Sequence, residues 1–225
     1  MFVALSGLPR TGSTLLSAIL SQNPVIHAEG NSAVCQLMWD MQQSCEGPSS
    51  EQLAASRRYE TQDALVRSVP STYYANVDKK IIVDKCRSWA LPANMEMLRR
   101  YFDHEPKVIV MTRPIDEIVN SFVRLREANG WQGDLSSDLT VPGSEPIMRS
   151  LDGVKYAQET NNGEFHFVTY SDLVNDPTAV LNGIYDFIGA DRFAHDFDNV
   201  VNQFPEDDSV YGLNGQHVIR SKVGE

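Results

Sequence analysis

Residues 1–20, MFVALSGLPRTGSTLLSAIL, constrain the fold more than any other stretch of the chain. Phe2 to Leu5 is apolar without alternation, the pattern of a strand covered on both faces, as in a parallel sheet. Ser6-Gly7 stops it. Leu15, Leu16, Ile19 and Leu20 then recur at helical spacing, and the helix has to end before Pro24. A strand passing through a glycine loop into a helix is the opening unit of an α/β fold. Gly7 and Gly12 have the G-x-x-x-x-G spacing in which backbone N–H groups and a helix N-terminus wrap an oxyanion. Nucleoside-triphosphate loops continue with a lysine that reaches the β and γ phosphates, but Ser13 stands at that position. The nearest cation is Arg10, whose planar fork suits a terminal phosphate-like group.

The remaining chain repeats the alternation. Lys80 to Asp84 (KIIVD), Lys107 to Thr112 (KVIVMT) and Phe165 to Tyr170 (FHFVTY) read as further strands. Helices are predicted at Pro92 to Phe102, along the Ile115, Ile118, Val119, Phe122, Val123 stripe, at 147–160 and at Pro177 to Ile188. Residues 32–43 and 51–69 read as two peripheral helices, parted by Gly47-Pro48-Ser49-Ser50. Residues 130–146, rich in Gly, Ser, Asp and Pro, read as a long loop of the kind that serves as a substrate lid. The expectation is one α/β domain over 1–225, a P-loop-like parallel sheet with helices on both faces, closed by a C-terminal segment at 205–225.

Charge limits the partners. The 225 residues carry 19 Lys and Arg against 30 Asp and Glu, a net −11. That excludes a nucleic acid or anionic membrane tracked over a broad basic surface, though not a small anion held by a few focused cations. Three cysteines without C-x-x-C spacing predict a reducing compartment. The opening segment has no basic stretch ahead of its short apolar run, so neither a signal peptide nor a membrane span is expected, and the reading is a soluble cytoplasmic protein. Five scattered histidines show no metal-ligand spacing, and no metal is predicted.

Three segments carry a resemblance. SGLPRTGSTLLSAILSQNP resembles the 5′-phosphosulfate-binding loop of sulfotransferases that use 3′-phosphoadenosine 5′-phosphosulfate (PAPS). VIVMTRPIDEIVNSFVRL resembles the same family's 3′-phosphate motif, an Arg closing a strand and a Ser eight residues on. YSDLVNDPTAVLNGIYDFIGA is similar to its Tyr-Glu-Asp-Leu segment and following helix. In sequence order they span residues 5 to 190. The resemblance implies that Arg10, Thr11, Gly12, Ser13 and Thr14 hold the 5′-phosphosulfate and that Arg113 with Ser121 holds the 3′-phosphate. It implies that Tyr170 contacts the adenine, and that Lys85 bridges the reacting sulfuryl and the leaving phosphate. Arg220 and Lys222 match the closing Arg-Lys-Gly segment more loosely, because Ser221 interrupts it. The implied donor is PAPS and the product 3′-phosphoadenosine 5′-phosphate (PAP).

The chain departs from the family at the general base. Cytosolic members place a His two residues after the strand-end lysine, where this chain has Arg87. Protein-tyrosine members use a Glu whose position here is Asn31, with Glu29 two residues earlier. Glu29 is the candidate base and His27 the second, against the alternative that Glu29 binds Arg10 or caps a helix. Catalytic roles are thus expected of Arg10, Lys85 and Glu29. Two other functions remain open: a P-loop kinase or nucleoside triphosphatase, for which Asp84 is the candidate Mg²⁺ ligand, and a non-catalytic nucleotide-binding module. The acceptor hydroxyl or amine and the oligomeric state are not legible.

Overall fold

The computed structural model describes residues 1–143, 146–160 and 162–224. Residues 144, 145, 161 and 225 fall outside it, and with them small parts of the expected loop at 130–146 and of the closing segment at 205–225.

The elements follow in chain order: β1 (Phe2–Gly7), α1 (Ser13–Leu20), β2 (Ile26–Asn31), α2 (Val34–Glu46), α3 (Ser50–Ala55), α4 (Thr61–Tyr73), β3 (Ile81–Lys85), α5 (Pro92–Tyr101), β4 (Val108–Thr112), α6 (Ile115–Ala128), α7 (Met148–Thr160), β5 (Phe165–Thr169), α8 (Tyr170–Asn175) and α9 (Pro177–Ile188). Single 3₁₀ turns lie at Arg87–Ala90 and Asp208–Tyr211. The five strands form one parallel sheet in the order β2-β3-β1-β4-β5.

Helices cover both faces because the central strands are apolar on both. Phe2 and Ala4 of β1 and Val108 and Val110 of β4 face the side packed by α2, α4, α5, α6 and α7, around the fully buried Trp89. Val3, Leu5, Ile109 and Met111 face α1, α8 and α9. Local chemistry sets several ends. Asp176 accepts from the Ala179 N–H to cap α9, Pro177 opens it, and Gly189 closes it in the left-handed region at φ 67°.

The structure departs from the sequence expectation in three places. β2, IHAEGN, was not expected as a strand, since it holds His, Glu, Gly and Asn; it exists because β3 offers it a parallel edge, and its register shifts between Ala28 and Asn31. The helix expected at 51–69 is two helices, broken where Arg57 takes φ 54°. No Gly or Pro marks that break. The last strand ends at Thr169, which caps α8 by accepting from the Asp172 N–H, so Tyr170 opens a helix rather than closing a strand.

Residues 130–143 are tied down from α6. Arg126 holds Asp138 through both oxygens at 2.6 and 2.8 Å and donates to the Leu135 carbonyl.

Candidate functional site

The loop between β1 and α1 is shaped before any ligand is considered. Gly7 takes φ 121° and lies so close to β4 that a Cβ would overlap the Met111 carbonyl. Thr11 is fully buried and donates its hydroxyl to the Leu8 carbonyl at 2.7 Å, closing the turn from inside. Arg10 sits at φ 58°, a left-handed backbone without glycine, which carries its side chain out over the loop. Gly12, at φ 80°, has no room for a side chain, because a Cβ would come within 2.8 Å of the Tyr170 ring.

Above this loop lies a cavity of about 360 Å³ at the carboxyl ends of β1, β3 and β4. Open parallel sheets bind ligands at this place, where the strand order turns from one side to the other. The fold brings ten of the twelve sequence-predicted site residues to its wall: Arg10, Gly12, Ser13, Thr14, Lys85, Arg113, Ser121, Tyr170, Arg220 and Lys222. The other two are Thr11, buried beneath the loop, and Glu29, which lies on β2 with its carboxylate 3.3 Å from His27 Nε2 and does not line the cavity. Arg87 and Arg124 join the wall. Seven of the chain's 19 Lys and Arg therefore surround this space, and among the described residues no Asp or Glu lines it.

The cations are held apart and in place. Arg10 donates through Nε to Ser121 Oγ at 3.1 Å and through Nη1 to the Gln216 carbonyl. Burial, then the neighbouring Arg113 charge, pushes the Arg10 guanidinium below its usual range. Arg113 pairs with Glu117 one turn along α6 at 2.8 Å, donates to the Arg10 carbonyl at 3.1 Å, and lies over the Tyr170 ring at 4.2 Å. The ion pair with Glu117 and the place in the cavity wall are thus compatible. Ser121 and Arg124 are three residues apart on α6 and share a face.

Lys85 ends β3 and is 4% exposed. Its Nζ donates to Thr14 Oγ1 at 3.1 Å and meets Glu206 Oε1 at 3.4 Å. Burial lowers its basicity and Glu206 counters that. The next residue inward, Asp84, is completely buried and accepts from Ser32 Oγ at 2.5 Å, Trp89 Nε1 at 2.6 Å and the Tyr74 hydroxyl at 2.7 Å. Burial raises its pKa against those three bonds. Asp84 does not line the cavity, and its coordination capacity is taken up by the core, which removes the only Mg²⁺ ligand expected from the sequence.

The C-terminal segment, expected to bring Arg220 and Lys222, also brings a group that the sequence reading did not include. Residues 205–224 fold over the open side of the cavity and contribute Gln216, His217, Val218 and Ile219 as well as Arg220 and Lys222. His217 Nδ1 lies 2.5 Å from Asp208 Oδ1, and its backbone N–H donates to Asp208 Oδ2 at 3.0 Å. Asn31 donates to Glu206 Oε2 at 3.1 Å. Apart from one 3₁₀ turn this segment lacks regular structure, so no periodicity announced it. The loose Arg220-Ser221-Lys222 match pointed to the segment, but not to Glu206, Asp208 and His217.

A sequence model of the sulfotransferase family matches residues 3–195. The chain belongs to the sulfotransferase family. Among solved structures, this sulfotransferase is similar to the sulfotransferase domain from the curacin biosynthetic pathway (TM-score 0.57, 19% identity, 86% of this chain and 75% of that one). It is also similar to the sulfotransferase domain of the Synechococcus PCC 7002 olefin synthase (TM-score 0.57, 18% identity, 98% of this chain and 88% of that one). A third is a sulfotransferase from Alicyclobacillus acidocaldarius (TM-score 0.56, 15% identity, 93% and 87%). At these identities the likeness is one of fold, an α/β parallel sheet flanked by helices. No curated protein matches this sulfotransferase in sequence. Among its described residues no helix is long and apolar enough to cross a membrane.

Proposed function

We propose that this sulfotransferase takes its sulfuryl group from PAPS and delivers it to a hydroxyl or amine by in-line displacement, releasing PAP. The observation that carries the reading is the focusing of seven cations and the α1 N-terminus on one cavity in a chain of net charge −11. That cradle fits a small ligand with anionic groups at two ends.

PAPS supplies a sulfuryl group already activated by a phosphate leaving group. Arg10, Gly12, Ser13 and Thr14 hold the 5′ end, with Thr11 shaping the loop from below. Arg113 and Ser121 hold the 3′-phosphate, helped by Arg220 and Lys222 from the closing segment. Tyr170, already stacked on Arg113, bounds the adenine site. Lys85 sits where charge builds on the departing oxygen, and a fixed cation there acts in the transition state more than in the ground state. The short tether from Lys85 to Thr14 keeps that ammonium aimed at the loop.

Thermal unfolding with PAP, with ATP–Mg²⁺ and with neither tests the reading. A ligand at a hundredfold its Kd stabilises by about 2.7 kcal/mol. Stabilisation by PAP is expected; stabilisation by ATP–Mg²⁺ without any by PAP overturns the proposal.

A further inference from the structure

The proposed transfer leaves one requirement unmet on the sheet side of the cavity, a group that removes the acceptor's proton. Among the described lining residues the titratable groups are seven cations, Tyr170 and His217. Tyr170 is engaged beneath Arg113. His217 is different, and its surroundings define which ring nitrogen can act.

Two carboxylates face Nδ1, Asp208 at 2.5 Å and Glu206 at 3.5 Å. The proton therefore sits on Nδ1. Two side-chain amides face Nε2, Asn31 Nδ2 at 3.4 Å and Gln216 Nε2 at 3.3 Å. The orientation of the Asn31 amide is set independently, since the same Nδ2 donates to the Glu206 carboxylate at 3.1 Å. Nε2 is thus the acceptor, on a ring that lines the cavity. Burial first, and the Lys85 charge second, hold the imidazole below its ordinary pKa, which favours the neutral ring, and an acceptor hydroxyl or amine reaches the Nε2 lone pair by displacing the two long amide contacts. Glu206 connects this group to the transfer centre, meeting Lys85 at 3.4 Å while packing on Gly30, where a Cβ would overlap its carboxylate.

We propose that His217 is the general base of the transfer and that Asp208 is its positioning residue, an assignment that rests on the PAPS reading above. The acceptor's O–H or N–H proton passes to His217 Nε2 as the acceptor atom bonds to sulfur. The bond from sulfur to the bridging phosphate oxygen breaks with its electron pair staying on that oxygen, next to Lys85. Asp208 balances the imidazolium that results, as a carboxylate does for a catalytic histidine in hydrolases. The base arises from the segment that closes over the cavity, so the site is complete only when that segment is in place.

The experiment compares wild type, His217→Gln and Asp208→Asn for release of PAP from PAPS, with water, 4-methylphenol and 4-nitrophenol as acceptors, alongside PAP affinity. In mildly alkaline buffer 4-nitrophenol is already ionised and needs no base, whereas 4-methylphenol and water do. His217→Gln is expected to bind PAP as wild type does and to lose about 100-fold or more in transfer to 4-methylphenol. Its loss with 4-nitrophenolate is expected to be far smaller. A residue that only supported the fold would affect both acceptors alike. In Asp208→Asn the acid limb of the rate profile should move to lower pH, because Asp208 raises the basicity of a ring also faced by Lys85, Glu206 and Tyr211. That profile carries the test if His217→Gln loses PAP affinity. A wild type that does not bind PAP overturns the donor reading and this assignment together. A wild type that binds PAP and transfers no faster than His217→Gln overturns the base assignment alone, whereas one that binds PAP and releases none from PAPS above the buffer rate overturns the transfer reading with it.

Discussion

The two rims of the cavity are built differently. On the sheet side, Arg10, Lys85 and Arg113 leave the ends of β1, β3 and β4, three adjacent strands whose register is fixed by ladders such as Leu5 with Lys85 and Gly7 with Met111. On the far side, Gln216, His217 and Arg220 come from a segment held by a few contacts, among them the Val200 N–H on the Ser221 carbonyl and the Val223 N–H on the Phe197 carbonyl. The first rim is positioned by the core. The second is tied to the first through Arg10 to the Gln216 carbonyl and Lys85 to Glu206, and Leu213, Ile219 and Val223 pack it against the two hydrophobic clusters. A cation-lined sheet rim thus faces an irregular segment whose side chains reach back to it.

That contrast can be broken at several points. The largest effect is expected at Lys85: Lys85→Ala should lower turnover by about 10²- to 10³-fold, the loss seen when one fixed transition-state donor is removed. PAP affinity should change much less, and a variant whose whole defect lies in PAP affinity would take Lys85 out of the chemistry. Next comes Asp84, just beneath the rim. Asp84→Ala leaves the hydroxyls of Ser32 and Tyr74 and the Trp89 indole N–H without their buried acceptor. It should cost about 3 kcal/mol or more, a Tm fall of about 6–12 °C. Turnover per folded molecule should persist; selective loss of activity with Tm unchanged would restore Asp84 as a site residue.

Arg113→Ala should weaken PAP binding by about 10- to 100-fold, as loss of a charge-assisted contact does, measured by calorimetric titration. Arg220→Ala, on the irregular segment, should weaken it by at most about 5-fold, the range of a solvated pair. Equal effects in the two variants would mean that this segment holds PAP as firmly as the sheet does.

The smallest effect concerns stability and pH. Burial lowers the pKa of His166 and of His195 from the ordinary 6.5. The folded protein then binds fewer protons than the unfolded chain below that value, so stability declines as pH falls through it toward the folded pKa values, and these groups add nothing above it. Thermal unfolding between about pH 8 and about pH 5 should show this decline, flattened in the His166→Gln, His195→Gln double variant. An unaltered slope would exclude both histidines.

Legibility in the sequence followed the same division. The sheet side could be read because each part is a local pattern: an apolar run for β1, a glycine spacing for the loop, a strand-end Arg followed by a helical Ser for Arg113 and Ser121. Local patterns failed where partners came from elsewhere. β2 is a strand because β3 is beside it, and Glu29, the expected base, points its carboxylate at His27 rather than into the cavity. Arg57 breaks a helix through a backbone conformation that no residue type announced.

The α/β alternation, the glycine loop and the cations at the strand ends follow from residue order alone, since they depend on periodicity and on neighbours in the chain. It took the folded chain to assign Asp84 to the core and to bring His217, 186 positions beyond Asn31, together with Asn31 and Lys85 at one cavity. An irregular segment has no periodicity to read. Its hydrogen bonds are set by where the rest of the fold leaves carboxylates, amides and backbone groups for it to meet.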